Sequence, residues 1–387
     1  MGIPVNKNEN RLGLKVESTE GTYNAMSGSS DFVEVLADAA NFTIERDEIE
    51  RDILSSTVEI EASRVGIKNV NGTIPVEYRA NSTAGSAPVD LDLLLRSLMG
   101  GKRQNAAADT TTTGNSSTVL NFTSHDIEVG DIVLVKEAGA YELRPVSAKD
   151  ATSITFPFAL DNGAPSDGVE VEKFTTYYFD STNSVTLSAE HTKGDLVQQQ
   201  VAGLRVGQMS LSDFTVGSTP KAEFTLEGTS MSESVSASTA DPAANSALPP
   251  IVLNACLWLN GVKLEYQNFG LTVTSELAPV QSACADSGRI ATRITKQMVE
   301  YTIDPYMEDD DVDRFTLFDQ NNDASLFVYA YNPSSTAGEF SQAVGFWVPQ
   351  SKIISKSDGD ADGLYIDEIT GKAHRSAGND SIFLGFI

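Results

Sequence analysis

The 387-residue chain has only two cysteines, two tryptophans and three histidines. Cys256 and Cys284 cannot build a disulfide framework, so the fold must be held by its core and a reducing site of synthesis is allowed. His125, His191 and His374 stand far apart with no His or Cys at ligand spacing, so each reads as a surface or turn residue and no metal is expected. No apolar run reaches the length of a membrane span, and the start, MGIPVNKNEN, lacks the apolar segment of a secretion signal. Asn6 stands where a myristoylation signal wants Ser or Thr. The expectation is a protein of an aqueous compartment with no membrane partner.

Basic residues are also short. Lys plus Arg is 27 against 54 for Asp plus Glu, a net charge of -27 spread along the whole length. Such a surface repels phosphates instead of neutralising them. It serves solubility alone, or it lines a passage through which a polyanion slides without sticking.

Catalytic signatures are missing as well. There is no Gly-x-Ser-x-Gly. Gly101 and Lys102 fail as a phosphate loop, because Arg96 takes the place of its first Gly and Arg103 that of the magnesium-binding Ser or Thr. Asp358, Asp360, Asp362 and Gly363 copy the first half of a calcium loop, but position twelve is Ile369 and Glu368 falls one residue early, so an acidic hairpin turn is the better reading. Carboxylates are too widespread for one acid–base pair to stand out, and Glu308 to Asp311 read as helix-capping charge. Trp258 and Trp347 fall in strand patterns and read as core or interface aromatics. Neither an enzyme nor a cofactor is expected.

What is present is a strand-turn-helix phrase, residues 72–100. Ile74, Val76 and Tyr78 alternate with Thr73, Pro75 and Glu77 as in a strand with one buried face, and Pro75 argues for an edge or bulged position. Val89, Leu91, Leu94, Leu95 and Leu98 then recur near helical spacing, with Pro88 suited to the first turn and Gly100 to the end. A similar phrase returns late in the chain: Met298, Tyr301 and Ile303, a turn at Asp304 and Pro305, then a helix over residues 309–318 with Val312, Phe315 and Phe318 on one face. A shift of about 225 residues sets Arg64 on Arg289, Lys68 on Arg293 and Val76 on Tyr301. Two tandem sandwich modules, each with a flanking helix, are expected, against the alternative that two β-rich halves resemble each other by chance.

Residues 1–30 read as a polar arm ordered only by a partner. Residues 31–117 form the first part of the first module and 177–250 its second part, with 251–387 as the second module. Strands are expected at 41–46, 57–63, 221–228, 255–259 and 269–275, with a hairpin at Asn260-Gly261. Residues 104–117 and 230–250 are loops of low apolar content. Between the two parts of the first module, residues 118–176 hold short strands spaced by turn residues, the pattern of a small inserted β-barrel.

Several of these stretches together resemble the tail tube proteins of long-tailed, siphovirus-like bacteriophages. They are Glu17, Gly21 and Thr22, the strand pair around Arg46 to Arg64, GTIPVEYR and PVDLDLLLRSLMGG, GLRVGQMSLSDFTVGSTPKAEFTLEG and LNGVKLEYQNFGLTVTSEL. The resemblance covers most of the chain apart from the insert. It implies a mainly β virion protein, assembled in the host cytoplasm, whose rings stack into a hollow tube guided by a tape measure protein and closed by terminator and tip proteins. Genomic DNA passes through the lumen without tight binding. Six modules make such a ring, so a duplicated chain needs three copies and an unduplicated one six. The helices carrying Leu91, Leu94, Leu95, Leu98, Val312, Phe315 and Phe318 are then candidates for module-to-module packing, and the insert for an outward decoration. A terminator or baseplate ring and a β-rich receptor-binding adhesin remain as alternatives.

Overall fold

A computed structural model describes residues 10–36, 40–51, 62–105, 107–172, 174–194, 196–235, 245–285, 288–308 and 312–387. The first half contains β1 (Arg11–Val16), β2 (Phe32–Val33), β3 (Asn41–Ile49), β4 (Arg64–Glu77), α1 (Asp92–Leu98) and β5 (Gly100–Gln104). An insert follows with β6 (Asp109–Thr110), β7 (Val119–Asn121), β8 (Ile132–Glu137), β9 (Ala140–Pro145), β10 (Ala148–Lys149), β11 (Ser153–Thr155) and β12 (Glu170–Val171). The first half resumes with β13 (Thr175–Phe179), β14 (Leu187–Lys193), β15 (Val197–Ser212), β16 (Lys221–Gly228) and β17 (Ser230–Ser234). The second half runs β18 (Ala255–Leu259), β19 (Val262–Leu264), β20 (Tyr266–Gln281), β21 (Arg289–Pro305), α2 (Val312–Asp319), β22 (Ala324–Pro333), β23 (Phe340–Ala361), β24 (Leu364–Ala373) and β25 (Phe383–Phe386).

These strands make a mainly β, antiparallel sandwich. One layer is the hydrogen-bonded series β3–β4–β16–β15–β20–β21–β24–β23, which crosses both halves. Strands β15 and β23 are long enough to bend out of that layer. Their N-terminal parts join the opposite layer, β15 to β14 and β17, β23 to β22 and β25. One core fills the space between the layers and is continuous across the halves: Tyr78 stacks on Phe346 at 5.2 Å, and Phe214 packs edge-on against Phe269 and Phe346. Alternation in β4 and β16 puts Ile74, Val76, Ala222, Phe224 and Leu226 on this buried side. Pro75 lies beyond the last β3 rung, so no ladder hydrogen bond to β3 is lost there.

The two halves repeat one set of six pairings: β1 with β2 and β14, β14 with β15, β15 with β16, β16 with β4, and β4 with β3. Strands β18, β19, β22, β23, β24, β21 and β20 do the same in the second half. Even the bulges match. Val206 opposite Leu226 is the last rung before a bulge in β15, and Ile353 opposite Gly371 is the last before one in β23. From there Leu226 leads to Gly72 and Phe42, and Gly371 to Tyr301 and Leu271. The expected register needs correction: Arg64, opposite Ile49, matches Arg293, opposite Ala278, four residues beyond the expected Arg289. A four-residue slip keeps every side chain on its face, so alternation in the sequence is blind to it.

Other expectations are corrected too. The helix over 88–98 starts only at Asp92, and Val89 is exposed, outside the leucine stripe. From Arg11 the presumed arm is a strand within the sheet, paired with β14, and the loop expected at 230–250 begins with β17. His191 is buried in β14 instead of lying on the surface. Most of the strand expected at 57–63 lies outside the described residues. Its last residue, Ser63, precedes β4.

The insert is not a closed barrel. It consists of two small sheets, β10–β11–β7 and β6–β12–β8–β9, and begins earlier than expected because β6, within the loop expected at 104–117, pairs with β12. Its apolar residues form a second core that includes Trp258, Phe327, Trp347 and Phe383 of the second half. Close approach requires small residues: Gly345 and Gly385 are cross-strand partners, and a Cβ on either would sit within 3.1 Å of the Ile132 side chain.

Candidate functional site

Among the described residues no set of three or more His, Cys, Asp or Glu could hold a metal ion. The sequence-marked Asp358-to-Gly363 stretch is a hairpin tip, with Asp362 and Gly363 both at positive φ between β23 and β24. The same turn chemistry recurs at Asn260 and Gly261, as their sequence requires. The feature that stands out is the eight-stranded layer itself, which among the described residues has one bare face and two bare edges.

The face turned away from the core is hydrophilic. Across the strands it presents Thr43, Asn71, Ser210, Thr272, Thr302 and Ser355, interspersed with Glu45, Glu77, Glu223, Glu300 and Glu368. Its lysines are largely neutralised: Lys372 pairs with Glu300 at 3.0 Å, and Lys221 with Asp213 at 2.7 Å. Short hydroxyl and amide side chains with an acidic excess offer a polyanion little to hold.

The halves meet in the middle of this layer. Gln208, Met209, Ser210 and Leu211 of β15 pair with Thr274, Val273, Thr272 and Leu271 of β20. The helix α1 seals the joint. Leu91, Leu94, Leu95 and Leu98 are all fully buried, and the Leu98 carbonyl accepts hydrogen bonds from Ser275 Oγ at 2.8 Å and Gln297 Nε2 at 3.5 Å. At the outer ends the equivalent segments are bare. Among the described residues strand β3 pairs only with β4, and β23 beyond Lys352 pairs only with β24.

Helix α2 turns inward a different face from the one that its phenylalanines mark. Arg314 and Leu317 turn inward, with Arg314 Nε donating to the buried Asp367 at 2.8 Å while Lys356 also donates to that carboxylate. Phe315 and Phe318 instead face outward, 56% and 37% exposed, and the side chain of Val312 lies outside the described residues. The residues of the early Glu17–Gly21 motif do come together. Glu17 is buried and accepts from the backbone N–H groups of Gly21 at 2.8 Å and Gly203 at 2.6 Å, tying β1 to β15. Gly203 is at positive φ, and a Cβ there would strike Thr229 Oγ1 at 2.2 Å. Nothing in the sequence pointed to the cluster of buried Arg79 and Asp90 with the partly exposed Glu34, where Arg79 Nη2 donates to Asp90 at 2.8 Å. These are isolated charges until the fold brings them together.

Comparison with curated proteins finds none that matches. The family model described as phage tail tube protein matches residues 7–377. This match spans the sandwich, its bare edges and the insert alike, so the chain belongs to the phage tail tube protein family and is a structural component of the virion tail.

Proposed function

We propose that three copies of this chain close into a ring of six modules, that rings stack into the tail tube, and that the hydrophilic face lines a bore through which DNA leaves the head. One observation carries this reading. The joint between β15 and β20 inside the chain has its two counterparts, β23 and β3, at opposite free edges. Carrying the internal register over pairs Ser355, Lys356, Ser357 and Asp358 of one copy with Glu45, Ile44, Thr43 and Phe42 of the next. Open strand edges are otherwise a hazard, and pairing between copies removes it. Helix α1 then packs module to module inside the chain, and α2 does so between copies.

An acidic lining repels phosphate over about a Debye length, roughly 8 Å at physiological salt, so DNA slides instead of binding. The chain works without catalysis. Its partners are further copies of itself, a tape measure protein that sets tube length, and terminator and tip proteins at the ends. The insert, docked on the layer opposite the bare face, projects from the outside of the tube. Negative-stain microscopy of purified protein tests the reading. Long smooth tubes support it, single rings mean a terminator or baseplate role, and dispersed monomers that bind cells mean an adhesin.

A further inference from the structure

We propose that the C-terminal turn of α2 docks on the Arg46–Lys68 rung of a second copy, making the contact between copies electrostatic where the matching contact within the chain is neutral. The proposal rests on the ring reading above. Inside the chain, α1 ends on the rung formed by Ser275 and Gln297, and both side chains donate to the Leu98 carbonyl. Ser275 and Leu98 are sealed from solvent there. Counting the same number of rungs from Phe42–Gly72 as from Leu271–Tyr301 shows that the counterpart of Ser275–Gln297 is Arg46–Lys68. The counterpart of α1 is α2, which likewise follows the long hairpin and lies against the strand in the matching position, β23 for β15.

All parts of this second contact are open in the single chain. Arg46 is exposed and Lys68 half-buried, and neither makes an ion pair or side-chain hydrogen bond among the described residues. Phe318 and Asp319 at the end of α2 are exposed as well. The last carbonyls of a helix carry partial negative charge, and Asp319 adds a full one. A guanidinium and an ammonium on one rung are suited to both, with Phe318 lying against their aliphatic stems. The occupant is therefore a second copy of this chain, fixed by continuity with the internal joint and by charge.

Two double variants in the full chain test this, with assembly followed by sedimentation and microscopy at low and high salt, and folding checked by circular dichroism. Arg46→Ser with Lys68→Gln copies the internal rung. It should still form tubes, with a weaker salt dependence than the parent chain. Arg46→Glu with Lys68→Glu sets like charges against the helix end and should raise the concentration needed for assembly roughly tenfold or more. Tubes formed equally well by the Glu pair, or lost alike in both variants, would overturn the docking while leaving the ring reading intact. Failure of the parent chain itself to form rings would remove the ring reading instead.

Discussion

The guanidinium of Arg144, in strand β9 of the insert, lies 4.9 Å from the centre of the Trp258 ring in strand β18. Arg144 is fully buried and also pairs with Glu142 at 2.9 Å and Asp161 at 2.8 Å, while Trp258 stacks on Phe158 and Tyr329. The insert is thus cemented to the second half by a desolvated cation over an aromatic face, not tethered by its ends alone.

Removing that cation should be costly, because Glu142 would keep its buried charge. Arg144→Met is expected to lower stability by about 3 kcal/mol. Trp258 and Trp347 both border the insert, so tryptophan fluorescence during urea unfolding reads its undocking directly. An unchanged midpoint would show that Arg144 does not hold the insert in place.

The glycine pair under Ile132 makes a steric prediction. A Cβ on Gly385 would sit 2.7 Å from the Ile132 Cβ, so Gly385→Val should destabilise by about 2 kcal/mol. Adding Ile132→Ala should recover part of the loss. Thermal melts of the single and double variants check this, and strict additivity would mean the two residues do not press on each other.

A third prediction concerns pH. Burial, and secondarily the nearby charge of Lys193, hold the pKa of His191 below its ordinary 6.5. The folded chain therefore keeps this ring neutral while the unfolded chain protonates it. Its contribution to stability is complete above about pH 6.5 and is lost progressively as pH falls below that value. His191→Phe should reduce the drop in melting temperature between neutral and mildly acidic buffer. Equal drops in parent and variant would assign the acid sensitivity elsewhere.

How much of this was legible in the sequence depends on what each signal measures. The four leucines of α1 announced a buried stripe because nothing polar interrupts it, and Asn260-Gly261 announced its hairpin because few other pairs accept two positive φ values. In the α2 phrase the spacing marks one face but not which face turns inward, because it counts apolar residues alone. The inward face is set by Arg314 reaching Asp367, and the phenylalanines are left for solvent or a neighbour. The insert looked like a barrel because its short strands are spaced by turn residues, and β8 buries Ile132 to Val135 on both of its sides. The second side is spent on a neighbouring sheet, not on closure. The bare edges were invisible, since which strands remain unpaired follows from long-range pairing alone.

On the proposed reading, this chain carries its own ring joint as an internal copy, β15 on β20, and repeats it between molecules as β23 on β3. A cryo-electron microscopy reconstruction of the assembled tube measures this most directly. Three chains per ring are expected, each giving eight strands to a continuous inner wall, with Ser357 of one chain opposite Thr43 of the next. Six chains per ring, or a ring in which β3 and β23 stay unpaired, would contradict that reading.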